Sequence, residues 1–239
     1  MLGATLVELA GAVAICALGA LIQSTIGFGI ALVAVPFLAM IEPDLLPGPF
    51  LLASLLLALL MVARDRIAIR GADIRTSIQG LVAGTALGAP ALLIVPKDDL
   101  PELFGALILV AIGVSALGVR VRIGGASLFA AGAIGGVMGT MGGVHGPAMA
   151  LLYQAEAGER VRATLGAFFI AGYAISIAGL ALIGLFGWRE LRLGLALCPG
   201  ILLGWLLAPL AIARLDPVLL RPVILTVSAL AALVLLVKG

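Results

Sequence analysis

The chain has 239 residues, 63% of them hydrophobic and 11% charged, with a formal net charge of +2. A water-soluble domain is about half apolar and about a quarter charged, so this composition excludes a soluble globular protein and defines an integral membrane protein with the lipid bilayer as its solvent. The small net charge, with no basic cluster carrying interleaved aromatics, excludes nucleic acid as a partner.

The charged residues mark out the elements in chain order. The first stretch free of Asp, Glu, Lys and Arg is Leu9–Ile41, 33 residues long. No Lys or Arg precedes Arg64, so no secretory leader is read, and this apolar run is expected to remain in the protein. Glu8 stands at its edge, as an interfacial residue would. In its middle, Gln23–Pro36 reads QSTIGFGIALVAVP, which sets polar side chains and glycines inside an apolar run. A simple span takes about 20 apolar residues. Thirty-three residues are too many for one span and too few for two with a turn. Two short helices meeting inside the membrane fit, because about 15 residues make only about 22 Å of helix. Single spans are expected next at Leu45–Ala63, Thr76–Pro96 and Leu103–Val119. Asp99-Leu100-Pro101 gives the last of these a capping acid and a first-turn proline.

The series then repeats. Ile123–Ala155 is again 33 residues, with GTMGGVHGP (Gly139–Pro147) at its centre, and Ala163–Trp188, Leu193–Ala213 and Pro222–Val237 follow. Asp216-Pro217 opens the last span as Asp99 and Pro101 open its counterpart. Two structural repeats are expected, 1–122 and 123–239, forming one integrated transmembrane domain. If each broken segment turns back to the side it entered from, Arg64, Arg66, Arg70, Arg75, Arg120, Arg122, Arg160, Arg162, Arg214 and Arg221 share one face. Lys97, Arg189, Arg192 and Lys238 then lie on the other. The positive-inside rule prefers this arrangement, in which the repeats are inverted, over one in which each segment crosses once. The expected fold class is therefore an all-α polytopic membrane protein with two inverted repeats. Each repeat has a broken or re-entrant glycine-rich segment followed by three transmembrane helices.

Interrupted helices are costly in lipid unless their free backbone groups are buried in protein or line a cavity. Two of them meeting near the midplane is the layout of secondary transporters. The amides after each break, approached across Gly27, Gly29, Gly142, Gly143 and Gly146, favour an anion. Gln23, Ser24, Thr25 and Thr140 can add directed hydrogen bonds, and Met141 and Pro147 complete the second motif. His145 is the single histidine and the one near-neutral titrating group within the charge-free stretches, placing it in binding or proton coupling. Ser24, Thr25 or Thr140 can equally bond back to their own helix carbonyls. Gly80, Gly84 and Gly88, and Gly200 and Gly204, are spaced for helix packing. Cys16 and Cys198 stand singly, as small packed side chains. No metal or cofactor site is read.

GALIQSTIGFGIALVAVPFL (Gly19–Leu38) and GGVMGTMGGVHGPAMALLY (Gly135–Tyr153) resemble the paired glycine-rich motifs of the TauE/SafE family, also called the 4-toluene sulfonate uptake permeases. The second motif is the closer match. In the first, Gly27-Phe28-Gly29 stands where the family often has adjacent glycines. The resemblance implies a permease or exporter of small anions, chiefly sulfite, sulfonates and related sulfur-containing organic anions, in a bacterial inner membrane. No enzyme activity is expected. Three rivals remain: a non-transporting assembly or partner subunit, a channel-like pore, which would want a continuous polar stripe along several spans, and an intramembrane enzyme pairing Ser24 with His145. The partners expected are a small anionic solute and lipid. A homo-oligomer is left open.

Overall fold

A computed structural model describes residues 6–65, 71–116, 121–153, 159–212 and 217–238. The described residues form ten α-helices, with no strand among them. These are α1 (Leu6–Ile26), α2 (Ile30–Ile41), α3 (Gly48–Asp65), α4 (Gly71–Leu93), α5 (Leu100–Ala116), α6 (Gly125–Gly142), α7 (Gly146–Tyr153), α8 (Glu159–Leu182), α9 (Trp188–Ile212) and α10 (Pro217–Lys238). Six stretches among them are long and apolar enough to cross a membrane: Leu6–Ile26, Asp73–Leu93, Lys97–Ala116, Gly125–Gly142, Thr164–Leu182 and Trp188–Leu210. Arg66, Arg70, Arg120, Arg214 and the capping Asp216 lie outside the described residues, and so does part of the charge asymmetry read from the sequence.

Each 33-residue stretch is broken, but into unequal arms rather than two short ones. α1 has 21 residues and α2 has 12, about 31 Å against about 18 Å. α6 has 18 and α7 has 8. The glycines fall late in each stretch, so the first arm alone nearly matches the ~30 Å hydrocarbon core. α1 ends where Gly27 and Gly29 take φ of 99° and 118°. α6 ends at Gly143, φ 77°, whose N–H donates to Gly139 O while Val144 N–H donates to Met138 O. Side chains rarely tolerate that left-handed backbone, so glycine is needed at these stops. α2 restarts with Ile30 N–H donating to Gln23 Oε1 at 3.1 Å. α7 restarts on Gly146-Pro147, with proline at a first-turn position where its missing N–H costs nothing.

The halves exchange helices. α4 packs along α6, and α9 packs along α1. Both seams run on glycine. A Cβ at Gly80 or Gly84 would strike the backbone of Phe129 or Ala133, and one at Gly132 the backbone of Ser77. Likewise Gly200 and Gly204 face the backbones of Val13 and Ala17. These rows are packing seams, as their spacing suggests. α3 packs against α8 and α9, α5 against α10, and the two short arms α2 and α7 both touch α5. Large apolar side chains such as Leu87, Leu182 and Leu210 face outward, as they must where the solvent is lipid. Cys16 is buried and Cys198 half-buried, both as free thiols.

Candidate functional site

Both breaks open onto one small cavity. Its walls include Gln23, Phe28, Gly29, Gly143, His145, Gly146, Pro147, Phe169 and Tyr173. Its volume is about 10 Å³, room for roughly one water molecule, so the site is closed around itself in this conformation. The first residues of α2 and α7 stand at its edge. Each helix N-terminus carries about half a positive elementary charge together with unpaired amides. Among the described residues, no Asp, Glu, Lys or Arg lines the cavity. The polar groups are neutral and deeply buried: Gln23 and His145 are each 1% exposed. Gln23 uses Oε1 to cap α2, while its Nε2 has no partner. The Tyr173 hydroxyl lies beside Gln23 and Ser54, although neither Gln23 Nε2 nor Ser54 Oγ completes a hydrogen bond.

His145 is held by glycines. A Cβ at Gly139 of α6 or at Gly172 of α8 would run into its ring, so the imidazole lies between two bare backbones. Tyr173 meets it edge-on, with centroids 4.8 Å apart at 78°. His145 Nε2 lies 3.0 Å from Ser176 Oγ, which lies 2.7 Å from Thr140 Oγ1. Thr140 then donates to Thr85 Oγ1 at 3.0 Å. This buried polar chain runs from the break between α6 and α7 through α8 and α6 to α4.

Of the residues singled out from sequence, the structure brings Gln23, Gly29, Gly143, His145, Gly146 and Pro147 to the cavity. Thr140 stands one hydroxyl behind it. The others lie off it. Thr25 Oγ1 donates to Leu21 O of its own helix at 2.8 Å. Ser24 is buried with an unpartnered hydroxyl, and its carbonyl accepts from Arg64. Gly27 shapes the turn, Gly142 faces Leu107, and Met141 packs in the apolar cluster around Phe168. The rival Ser24–His145 pair is not formed: Ser24 Oγ and His145 Nδ1 each lack a hydrogen-bond partner, and Nε2 is engaged by Ser176. Tyr173, Ser176, Thr85 and Phe169 were missed. Their sequence signal is slight, a few isolated polar or aromatic residues within ordinary spans.

Pro47, Gly48, Pro49, Lys97, Arg189 and Glu190 line a larger depression of about 330 Å³. An ion pair between Arg189 and Asp44 spans its edge. Phe50, fully buried in the first turn of α3, lies against Gly143 of the cavity wall and follows Pro49 of the depression. At the far end of α3, about 21 Å from Phe50 along its axis, Arg64 donates to Ser24 O. Tyr153 at the end of α7 donates to Asp73 Oδ2 at 2.9 Å.

Interrupted helices converging on a closed, uncharged polar site inside a lipid-facing bundle define a multi-pass membrane transporter. The comparison with known families narrows this. The model of the family described as "Sulfite exporter TauE/SafE" matches residues 12–235, and the chain belongs to that family, whose members are transporters and not enzymes. No curated protein and no solved structure matches the chain.

Proposed function

We propose that the protein is a secondary transporter of small anions, with sulfite, sulfonates and related sulfur-containing anions as the substrate class, in a bacterial inner membrane. The observation that carries this reading is that the N-termini of α2 and α7 meet at one cavity containing the unpaired Gln23 Nε2. Two helix N-termini and a free amide donor suit an anion and offer nothing to a cation. No fixed cation stands at the site, so binding would be modest and release easy. The site residues are Gln23, Gly29, Gly143, His145, Gly146 and Pro147, with Gly27 setting the turn and Thr140 acting through Ser176.

Alternating access would move the halves about this site. The reciprocal seams, α4 on α6 and α9 on α1, support two repeats, 1–122 and 123–239, in inverted relation. One route to the site would run from the depression beside Arg189 past Phe50. The other would run past Arg64 and the Tyr153–Asp73 bond. Counterflow of labelled sulfite or a small sulfonate in proteoliposomes at equal pH tests the reading. Saturable counterflow above that of protein-free vesicles is expected. Its absence for every sulfur oxyanion tried would overturn the substrate class.

A further inference from the structure

We propose that this transporter carries its anion together with one proton, and that Nδ1 of His145 is the atom that receives it. The proposal rests on the reading of the cavity as an anion site. It follows from counting hydrogens along the buried chain.

A hydroxyl has one proton to donate. Thr140 Oγ1 donates to Thr85 Oγ1. Thr140 can then only accept in its 2.7 Å contact with Ser176, so the Ser176 proton points to Thr140. Ser176 can in turn only accept from His145, so Nε2 must carry a hydrogen across the 3.0 Å contact. In the neutral ring the other nitrogen is then bare. Nδ1 is also the ring atom with no hydrogen-bond partner, on a residue 1% exposed that lines the cavity. Hydrogen positions follow here from the chain of contacts, which is how a tautomer is assigned.

A bare Nδ1 leaves a lone pair on a ring that lines the cavity. A fully deprotonated oxyanion meets that lone pair as a repulsion. A singly protonated oxyanion donates its O–H to it, and a proton taken up beforehand makes Nδ1–H a donor to the anion. Either route places one anion and one proton in the cavity, and both leave together when the site opens to the other face. The groups facing the ring are Gly139 of α6, the backbone of Gly143 at the break, Gly172, Tyr173 and Ser176 from α8, and Gln23 from α1 across the cavity, with the Gly143 and Gly172 backbones placed to accept from a ring N–H. Of these only Tyr173 titrates and none is charged, so no other described side chain at the cavity competes for the proton. Ser176 and Thr85 are positioning residues in this scheme. They fix which nitrogen faces the anion without touching it.

The single histidine makes the tautomer directly measurable. In protein labelled with ¹⁵N-histidine, the resting state is expected to show Nε2 protonated and Nδ1 bare. An Nδ1–H tautomer would overturn the proposal whatever the transport data show. In proteoliposomes with the membrane potential clamped at zero, labelled sulfite is expected to accumulate about tenfold per unit of inward proton gradient, the value for one proton per anion. Protein-free vesicles correct for passive entry of the neutral acid. Counterflow at equal pH with no accumulation under a proton gradient would overturn proton coupling and leave the carrier reading intact. No counterflow at all would overturn both. Ser176→Ala removes the group that fixes the ring, and is expected to mix the two tautomers and shift the pH profile of transport. Ser176→Thr restores the hydroxyl and is expected to recover both. An unchanged profile in Ser176→Ala would remove Ser176 from the mechanism and the tautomer argument with it.

Discussion

Replacing Gly84 by alanine tests whether the glycine seam between α4 and α6 sets the geometry of the site. An added Cβ would lie 2.8 Å from Val137 N and 2.9 Å from Ala133 C, and closer still to Ala133 O. Ordinary heavy-atom contact begins near ~3.5 Å, so α4 would have to part from α6 by about 0.7 Å. Overpacking of this kind typically costs about 1–3 kcal/mol. Thr85 is the next residue and moves with α4, so its 3.0 Å bond to Thr140 would stretch beyond hydrogen-bonding range, a loss of about 1 kcal/mol. Against this, alanine in place of glycine favours the helix by about 1 kcal/mol. The net expectation is a loss of about 1–3 kcal/mol. Gly113 in α5 supplies the control, because a Cβ there meets nothing within 4 Å. Gly113→Ala should gain about 0.5–1 kcal/mol. Thermal unfolding of the detergent-solubilised variants measures both. If Gly84→Ala proves as stable as Gly113→Ala, the seam reasoning is wrong.

Three further changes separate the site from its surroundings. Gln23→Leu removes both the cap of α2 and the free Nε2. It should cost about 1 kcal/mol in stability and raise the KM for the anion ten- to a hundredfold, the scale of one hydrogen bond to a charged group, about 1.5–3 kcal/mol; an unchanged KM would take Gln23 out of the site. Phe50→Ala should increase leak of labelled anion through resting vesicles, at a stability cost of about 3–5 kcal/mol. Phe50→Leu should restore tightness, and equal leak in native and both variant proteins would mean that Phe50 only packs. Thr25→Val should change neither transport nor stability beyond ~0.5 kcal/mol, because Thr25 Oγ1 bonds its own helix; a large transport defect would place it at the site after all.

The parts of this protein legible in its sequence are those governed by exclusion from lipid. Charge cannot enter the hydrocarbon cheaply, so the gaps between charged residues locate the helices. The extra length of two gaps, 33 residues each against about 20 for a span, locates the breaks. The glycines at 27, 29 and 143 could be read as stops because little else tolerates their backbone angles. Arm lengths were less accessible. They depend on where in each gap the breaking glycines fall and on where the helices start: Gly27, Gly29 and Gly143 lie only a few residues past the midpoints, and α1 starts at Leu6, ahead of its gap. Least legible were the partners of His145. Ser176 and Thr85 lie 31 and 60 residues away in sequence from His145 on ordinary apolar spans. A lone hydroxyl there has the same pattern whether it bonds its own helix, as Thr25 does, or another helix, as Thr140 does. Only the tertiary placement of α4, α6 and α8 separates the two cases.

The same placement explains why glycine recurs around the site beyond the breaks themselves. An imidazole buried in the bundle needs both room and a defined orientation. Gly139 and Gly172 give room by presenting backbone where any side chain would strike the ring. Ser176 gives orientation by engaging Nε2. Together they hold a titratable side chain at the meeting point of two helix N-termini without a fixed charge beside it. A permanent arginine there would bind an anion more strongly and release it more slowly. In the proposed scheme, helix ends and a histidine that gains and loses one proton would give attraction that can be withdrawn at the opposite face, as a carrier requires.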